Sequence, residues 1–98
     1  MPNKNYRKGY RIELIAKKEL EANGYSVMRS GGSKGIFDLC AYDFNHFRLI
    51  QLKSTKRDSY ILKQTIRDIE DVEVPANCRK ELWIHKDKKG FIRKEVFA

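Results

Sequence analysis

The stretch from Ser33 to Ser54, SKGIFDLCAYDFNHFRLIQLKS, limits what this chain can fold into more than any other. Two runs rich in apolar and aromatic residues, Ile36 to Tyr42 and Phe47 to Lys53, flank the short link Asp43-Phe44-Asn45-His46, the pattern of two neighbouring strands. Side chains two apart share a strand face, so Phe47, Leu49, Gln51 and Lys53 point one way while Arg48, Ile50 and Leu52 point the other. Polar groups stand where core is expected: Asp38 near the start of the first run, Gln51 and Lys53 at the end of the second. Burying an acid, an amide and an amine together is costly unless they are paired or hold a metal. Asp38 could pair with Lys53 as a satisfied bridge at a sheet edge, or the cluster could be a site.

The rest of the chain bears on that choice. Its 98 residues make one expected domain with a modest two-layer core. Lys and Arg number 21 against 13 Asp and Glu, a net charge of +8, which suits a folded surface that meets a polyanion, nucleic acid above all. No long apolar segment, signal peptide or lipidation motif appears, so the expectation is a soluble cytoplasmic protein without a membrane partner. Cys40 and Cys78 form no C-x-x-C pair and fit reduced thiols. His46 and His85 are isolated in sequence, which argues against a zinc site.

Tyr6 to Asn23 reads as a helix with Ile12, Ile15, Ala16 and Leu20 on a buried stripe and Asn23-Gly24 as its stop. Glu13 borders that stripe and is aimed toward the sheet, although a solvated flank position or a pair with Lys17 would also account for it. Lys4, Arg7, Lys8 and Arg11 share another face, a basic stripe fit to track phosphates or to keep the helix soluble. Tyr25 to Arg29 is a short strand, followed by Ser30-Gly31-Gly32-Ser33-Lys34-Gly35, a loop that permits close backbone approach and whose Ser33 and Lys34 can face a phosphate. It is not a Walker A loop, since it lacks Gly-Lys-Ser/Thr and a strand follows where a helix is needed.

Beyond Lys53 the run Ser54 to Ser59 is polar and basic, and Asp58 or Ser59 can cap a second helix reaching about Asp71, with Ile61, Leu62, Ile66 and Ile69 as its core face. Pro75 closes that element; Glu81 to Lys86 and Phe91 to Phe97 are strands around the turn Asp87-Lys88-Lys89-Gly90. Helix, three strands, helix, two strands predicts an α/β fold with a central mixed β-sheet flanked by helices.

Glu13, a strand, a Gly-Ser loop, Asp38 and then Gln51-Leu52-Lys53 resemble the PD-(D/E)XK nuclease superfamily, whose fold is restriction-endonuclease-like. The string from Arg29 to Leu39, RSGGSKGIFDL, is similar to the archaeal and phage Holliday junction resolvase branch. The resemblance runs from about Tyr6 to Lys56 and implies a Mg²⁺-dependent endonuclease, with Mn²⁺ as a substitute metal, that acts on branched DNA in recombination and repair; one small domain cuts one strand, so two symmetric incisions predict a homodimer. It implies that Glu13, Asp38 and Gln51 organise the metal, that Lys53 contacts the attacked phosphate or the nucleophilic water, and that Ser33 is the loop serine of this branch. Ile36-Phe37 stands where the superfamily has Pro before the Asp, and Gln51 stands where Glu is usual, which removes one negative charge from the site.

Phosphodiester hydrolysis asks for those residue types on its own account. Cations must neutralise charge developing on the phosphate oxygens, and Mg²⁺ takes a few carboxylate or carbonyl oxygens and keeps several waters. Asp38, the Gln51 side-chain oxygen and the Leu52 backbone carbonyl can supply a partial shell, with Glu13 bound directly or through water. Arg7, Lys8, Arg11, Arg29, Lys34, Lys56 and Arg57 are the candidate DNA contacts. Two other activities fit the same residues: a nuclease acting on flap, nicked or duplex DNA, and a non-catalytic nucleic-acid-binding module. The apolar density of Trp83, Ile84, Phe91, Ile92 and Phe97 suggests a dimer contact on the last hairpin, ordinary core being the alternative.

Overall fold

The computed structural model describes residues 4–30, 35–54 and 59–97, with side chains described from Gly9 in the first helix and from Leu62 in the second. Elements follow the expected order: α1 (Lys4–Ala22), β1 (Ser26–Arg29), β2 (Leu39–Tyr42), β3 (Phe47–Ser54), α2 (Ser59–Asp71), β4 (Cys78–Lys86) and β5 (Gly90–Phe97). The strands form one sheet in the order β1-β2-β3-β4-β5. β3 and β4 pair in parallel and the other neighbours antiparallel, so the sheet is mixed.

α1 packs through Ile12, Ala16 and Leu20, all buried against Leu39, Ala41, Ile50, Leu52 and Trp83. Ile15, expected on that stripe, is 40% exposed. At about 100° per residue the stripe of Ile12, Ala16 and Leu20 centres roughly 60° from Glu13 and roughly 100° from Ile15, so the carboxylate lies nearer the sheet than the isoleucine does. The helix stops as expected: Gly24 adopts φ +92°, and the Tyr25 amide donates back to the Leu20 carbonyl at 3.1 Å.

The second core lies on the opposite sheet face, because adjacent β4 residues divide between the two: Trp83 joins the α1 side, Leu82 and Ile84 the α2 side with Ile69. Leu62, Ile66, Ile36, Phe37 and Phe97 pack around the latter group; the Ile61 side chain lies outside the described residues. Covered from both sides, β4 carries an unbroken buried run from Lys80 to His85. Its two charged members are paired. Lys80 Nζ donates to the carbonyls of Ile69, Glu70 and Val72 at 2.9, 3.2 and 2.8 Å, closing the C-terminal end of α2. Glu81 accepts from Arg48 at 2.6 and 2.8 Å and from the Trp83 indole at 3.0 Å. Burial pushes the Glu81 carboxyl up, but those donors outweigh it and hold the group below its ordinary range.

The last hairpin corrects the expected dimer contact. Trp83 and Ile84 are 1% and 5% exposed and Phe91 stacks edge-on against Trp83, so these are core; Ile92 and Val96 on the edge strand β5 are the exposed apolar positions. His46 is not isolated: its ring lies 3.2 Å from Asp43 and 3.4 Å from the Tyr25 hydroxyl, fixing the β2–β3 turn. Among the described residues no helix is long and apolar enough to cross a membrane.

Candidate functional site

The β2–β3 hairpin brings Asp38 and Gln51 together. Register pairs Leu39 with Ile50, which sets Asp38 across from Gln51 at the mouth of the hairpin. The expected strand from Ile36 starts only at Leu39, because Ile36 and Phe37 turn into the α2 core and leave Asp38 as the last residue before regular pairing. Three main-chain bonds fix it there. The Asp38 amide donates to the Ile50 carbonyl at 2.8 Å, and its carbonyl accepts from the Ser30 amide at 2.9 Å. Its Oδ2 accepts from the Leu52 amide at 2.8 Å.

Asp38 and Lys53 therefore do not close the structural bridge that sequence leaves open; among the described residues the Asp38 carboxylate has only the Leu52 amide as a hydrogen-bond donor. Desolvation raises the Asp38 pKa above the usual carboxylate range, the Leu52 amide opposes it, Glu13 adds to the rise and Lys53 counters it. That balance puts Glu13, Asp38 and Lys53 within electrostatic reach of one another although they come from α1, the β2 entrance and β3.

Gln51 is 9% exposed and shares its face with Leu82, its register partner on β4. Its Nε2 reaches toward the Leu52 carbonyl at 3.5 Å, the limit of a hydrogen bond, and its buried Oε1 has no partner among the described residues. A buried amide oxygen without a donor costs about 1–3 kcal/mol, and native cores seldom leave one so. Among the described residues no three His, Cys, Asp or Glu side chains converge as a metal cluster. The donor set is instead two carboxylates, the orphaned Gln51 oxygen and the Leu52 carbonyl, all hard oxygen ligands of the kind Mg²⁺ or Mn²⁺ takes. These residues fit a divalent cation.

Glu13 does not pair with Lys17, which bonds Glu21 at 3.1 Å. Its Oε2 accepts from Arg29 Nη2 at 3.2 Å, and the same guanidinium lies 4.6 Å over the Tyr10 ring. Arg29, expected as a free DNA contact, is engaged on the protein itself. Arg11 is exposed, as a phosphate contact requires. Ser33, Lys34, Lys56 and Arg57 lie outside the described residues, as do the side chains of Arg7 and Lys8.

Sequence reasoning missed the roles of three side chains, of which only Tyr10 touches a partner of Glu13. Tyr10 lies three residues before Glu13, the helical spacing that could have flagged it as the platform for Arg29. Arg48, read only as a residue on the other strand face, lies between Tyr25 and Trp83 and holds Glu81. His85, expected as a surface or core-edge residue, is buried beside Ser54, and its Nδ1 has no partner among the described residues.

Residues 4–92 match the family described as archaeal Holliday junction resolvase (Hjc). The chain belongs to the archaeal Holliday junction resolvase family. Within that family it is 40% identical over 65 residues to the crossover junction endodeoxyribonuclease Hjc of Methanocaldococcus jannaschii. That match covers 65% of this chain and 48% of the relative, so the chain spans about half the length of that protein. The 1.6 Å structure of Archaeoglobus fulgidus Hjc, a Holliday junction resolvase from an archaeal hyperthermophile, superposes with a TM-score of 0.60 at 17% identity. It covers 93% of this chain and 72% of that one, a likeness of fold. The resolvase family belongs to the PD-(D/E)XK-like nucleases, so the resemblance first seen in Glu13, Asp38 and Gln51-Leu52-Lys53 is that of a true member.

Proposed function

We propose that this chain is a divalent-metal-dependent endonuclease that hydrolyses phosphodiester bonds of four-way DNA junctions, a step of recombination and repair, and that it works in the cytoplasm as a homodimer. The observation that carries the reading is the buried, unpartnered Gln51 Oε1 set across from a desolvated Asp38 carboxyl, with Glu13 and Lys53 around them. A divalent cation there would supply Lewis-acid stabilisation of charge on the phosphate oxygens.

The protein's own groups do the rest. Asp38, fixed by the Leu52 amide, would hold the cation with the Gln51 Oε1 and the Leu52 carbonyl, hard oxygen donors of the kind Mg²⁺ takes. Glu13 would join from α1, directly or through water. Lys53, half-buried next to Asp38, gives a fixed positive charge to the attacked phosphate, and Ser33 contacts the substrate from the Gly-Ser loop. Arg7, Lys8, Arg11, Lys34, Lys56 and Arg57 hold the DNA arms by phosphate contacts, which makes binding strongly salt-dependent.

One active site cuts one strand, whereas resolving a junction takes two symmetric incisions, and a twofold dimer presents two sites in matching orientation. The exposed Ile92 and Val96 are the part of the last hairpin free to serve that contact. The deciding experiment sets the purified protein against junction, flap, nicked, duplex and single-stranded DNA, each with Mg²⁺, Mn²⁺ or EDTA, with light scattering on the same samples. Metal-dependent cutting selective for the junction by a dimer is expected. Equal cutting of flaps or duplex would point to a nuclease of other substrates, binding without cutting to a non-catalytic module, and a monomer on junction DNA would defeat the paired-incision reading.

A further inference from the structure

The engagement of Arg29 has a chemical meaning of its own. Glu13 and Asp38 are both assigned to the metal site, and a half-buried carboxylate there is stabilised by whatever cation stands beside it. In the DNA-free protein that cation is on the chain: the Arg29 guanidinium lies 3.2 Å from Glu13 Oε2. Tyr10 fixes it from behind at 4.6 Å, and it rides on β1, whose next residue, Ser30, donates to the Asp38 carbonyl at 2.9 Å. The guanidinium thus ties α1 to β1, and the residue after it ties β1 to Asp38. The pair is not sealed: the Arg29 and Glu13 side chains are 35% and 19% exposed, so an arriving phosphate can compete for the guanidinium's donors.

We propose that Arg29 is a resident counter-ion that occupies Glu13 until DNA arrives, and that its transfer from Glu13 to a backbone phosphate links metal occupancy of the site to substrate binding. The inference rests on the metal-site reading above. A dication approaching Glu13 in the DNA-free protein meets the Arg29 charge within the same few ångströms, and the repulsion weakens its binding. When a phosphate takes the guanidinium, that penalty goes and Glu13 is released to the cation. Arg29 is then both the DNA contact that sequence suggests and the ion-pair partner found in the fold, in two successive states.

The test is Mn²⁺ titration of the DNA-free protein by calorimetry, with junction binding in EDTA measured across a salt series. Arg29→Gln keeps an N–H for Glu13 and a chain to lie on Tyr10 but removes the charge; Arg29→Lys keeps the charge. Arg29→Gln should bind Mn²⁺ about three- to tenfold more tightly than the parent, and Arg29→Lys within about twofold of it. The salt slope of junction binding should fall by about one for Arg29→Gln. Unchanged or weaker Mn²⁺ binding by Arg29→Gln overturns the inference, as does an unchanged salt slope, which would leave Arg29 on Glu13 throughout. Asp38→Ala separates the two readings. If it abolishes Mn²⁺ binding while Arg29→Gln behaves as the parent, the metal site stands and the counter-ion falls; if Asp38→Ala binds Mn²⁺ like the parent, both fall.

Discussion

Replacing Gln51 by Glu tests the site through stability and metal affinity together. The Gln51 side chain is buried, across from Asp38, with its Oε1 unpartnered. In the metal-free protein a carboxylate there adds a charge next to one that burial already disfavours, for a cost of about 2 kcal/mol. For a domain of this size that lowers Tm by roughly 8–16 °C. With the cation present the balance reverses. At an effective dielectric of about 20, a dication and a carboxylate about 4 Å apart attract by about 8 kcal/mol. Against this stand the proton that crowded carboxylates retain and the hydration the cation gives up. A net gain of about 2 kcal/mol corresponds to roughly 30-fold tighter Mg²⁺ binding. Thermal unfolding of parent and Gln51→Glu in EDTA and in Mg²⁺, with calorimetric titration, reads both quantities. The variant should melt lower in EDTA, recover in Mg²⁺ and bind the metal more tightly. A variant whose Tm is the same in both buffers, or whose Mg²⁺ affinity does not rise, means that position 51 is not a ligand.

Asp38→Ala and Lys53→Ala should each abolish cleavage while junction affinity in EDTA stays within about threefold of the parent, since phosphate contacts elsewhere supply the binding; cutting by Asp38→Ala at the parental rate refutes the assignment. The raised Asp38 pKa carries a pH signature: the ionised group penalises the metal-free fold above that pKa, and the penalty disappears as pH falls through it. Metal-free Asp38→Asn should therefore melt higher than the parent at pH 7 and lose that advantage on acidification; a pH-independent difference in Tm argues against a desolvated carboxylate. Glu81→Gln breaks the Arg48 pair, whose side chains are 15% and 2% exposed, and should cost about 3 kcal/mol or roughly 12–24 °C in Tm. The double change Arg48→Met with Glu81→Gln, which keeps an acceptor for the Trp83 indole, should recover most of it; a loss as large as for the single change would mean that packing, not charge, is at stake.

The order of elements was legible because each leaves a local mark: the helical stripe of Ile12, Ala16 and Leu20, the turn residues after α1, the alternation of β3. That Asp38, Gln51 and Lys53 stand at the ends of neighbouring strands was expected from the same periodicity; the register that sets Asp38 across from Gln51 was not. What sequence could not give were decisions taken between distant segments. Ile15 satisfies helical spacing as well as Ile12 does, and only the position of the sheet leaves it exposed. Trp83 and Ile84 looked surplus to a small core because a strand buried on both faces needs apolar residues at every position, which the parallel pairing with β3 creates. Lys80 and Glu81 in that run find their partners only across the fold, where α2 offers its terminal carbonyls to one and Arg48 reaches the other. The Arg29–Glu13 pair joins residues 16 apart through the packing of α1 on β1, which no spacing rule specifies.

Glu13, Asp38, Gln51 and Lys53 all precede the parallel crossover through α2 that carries the chain from β3 to β4. The antiparallel meander β1–β2–β3 joins near neighbours and can pair early in folding, whereas β3 must wait for β4 across the whole of α2, a slower closure. Yet Ile50 and Leu52, whose main chains fix Asp38, are buried only when Trp83 arrives. The chemistry is encoded in the first half of the chain and its rigidity in the second. A nascent chain halted after β3 would hold every acidic residue of the site without the geometry to use them, so the proposed cutting activity would be withheld until synthesis has passed β4.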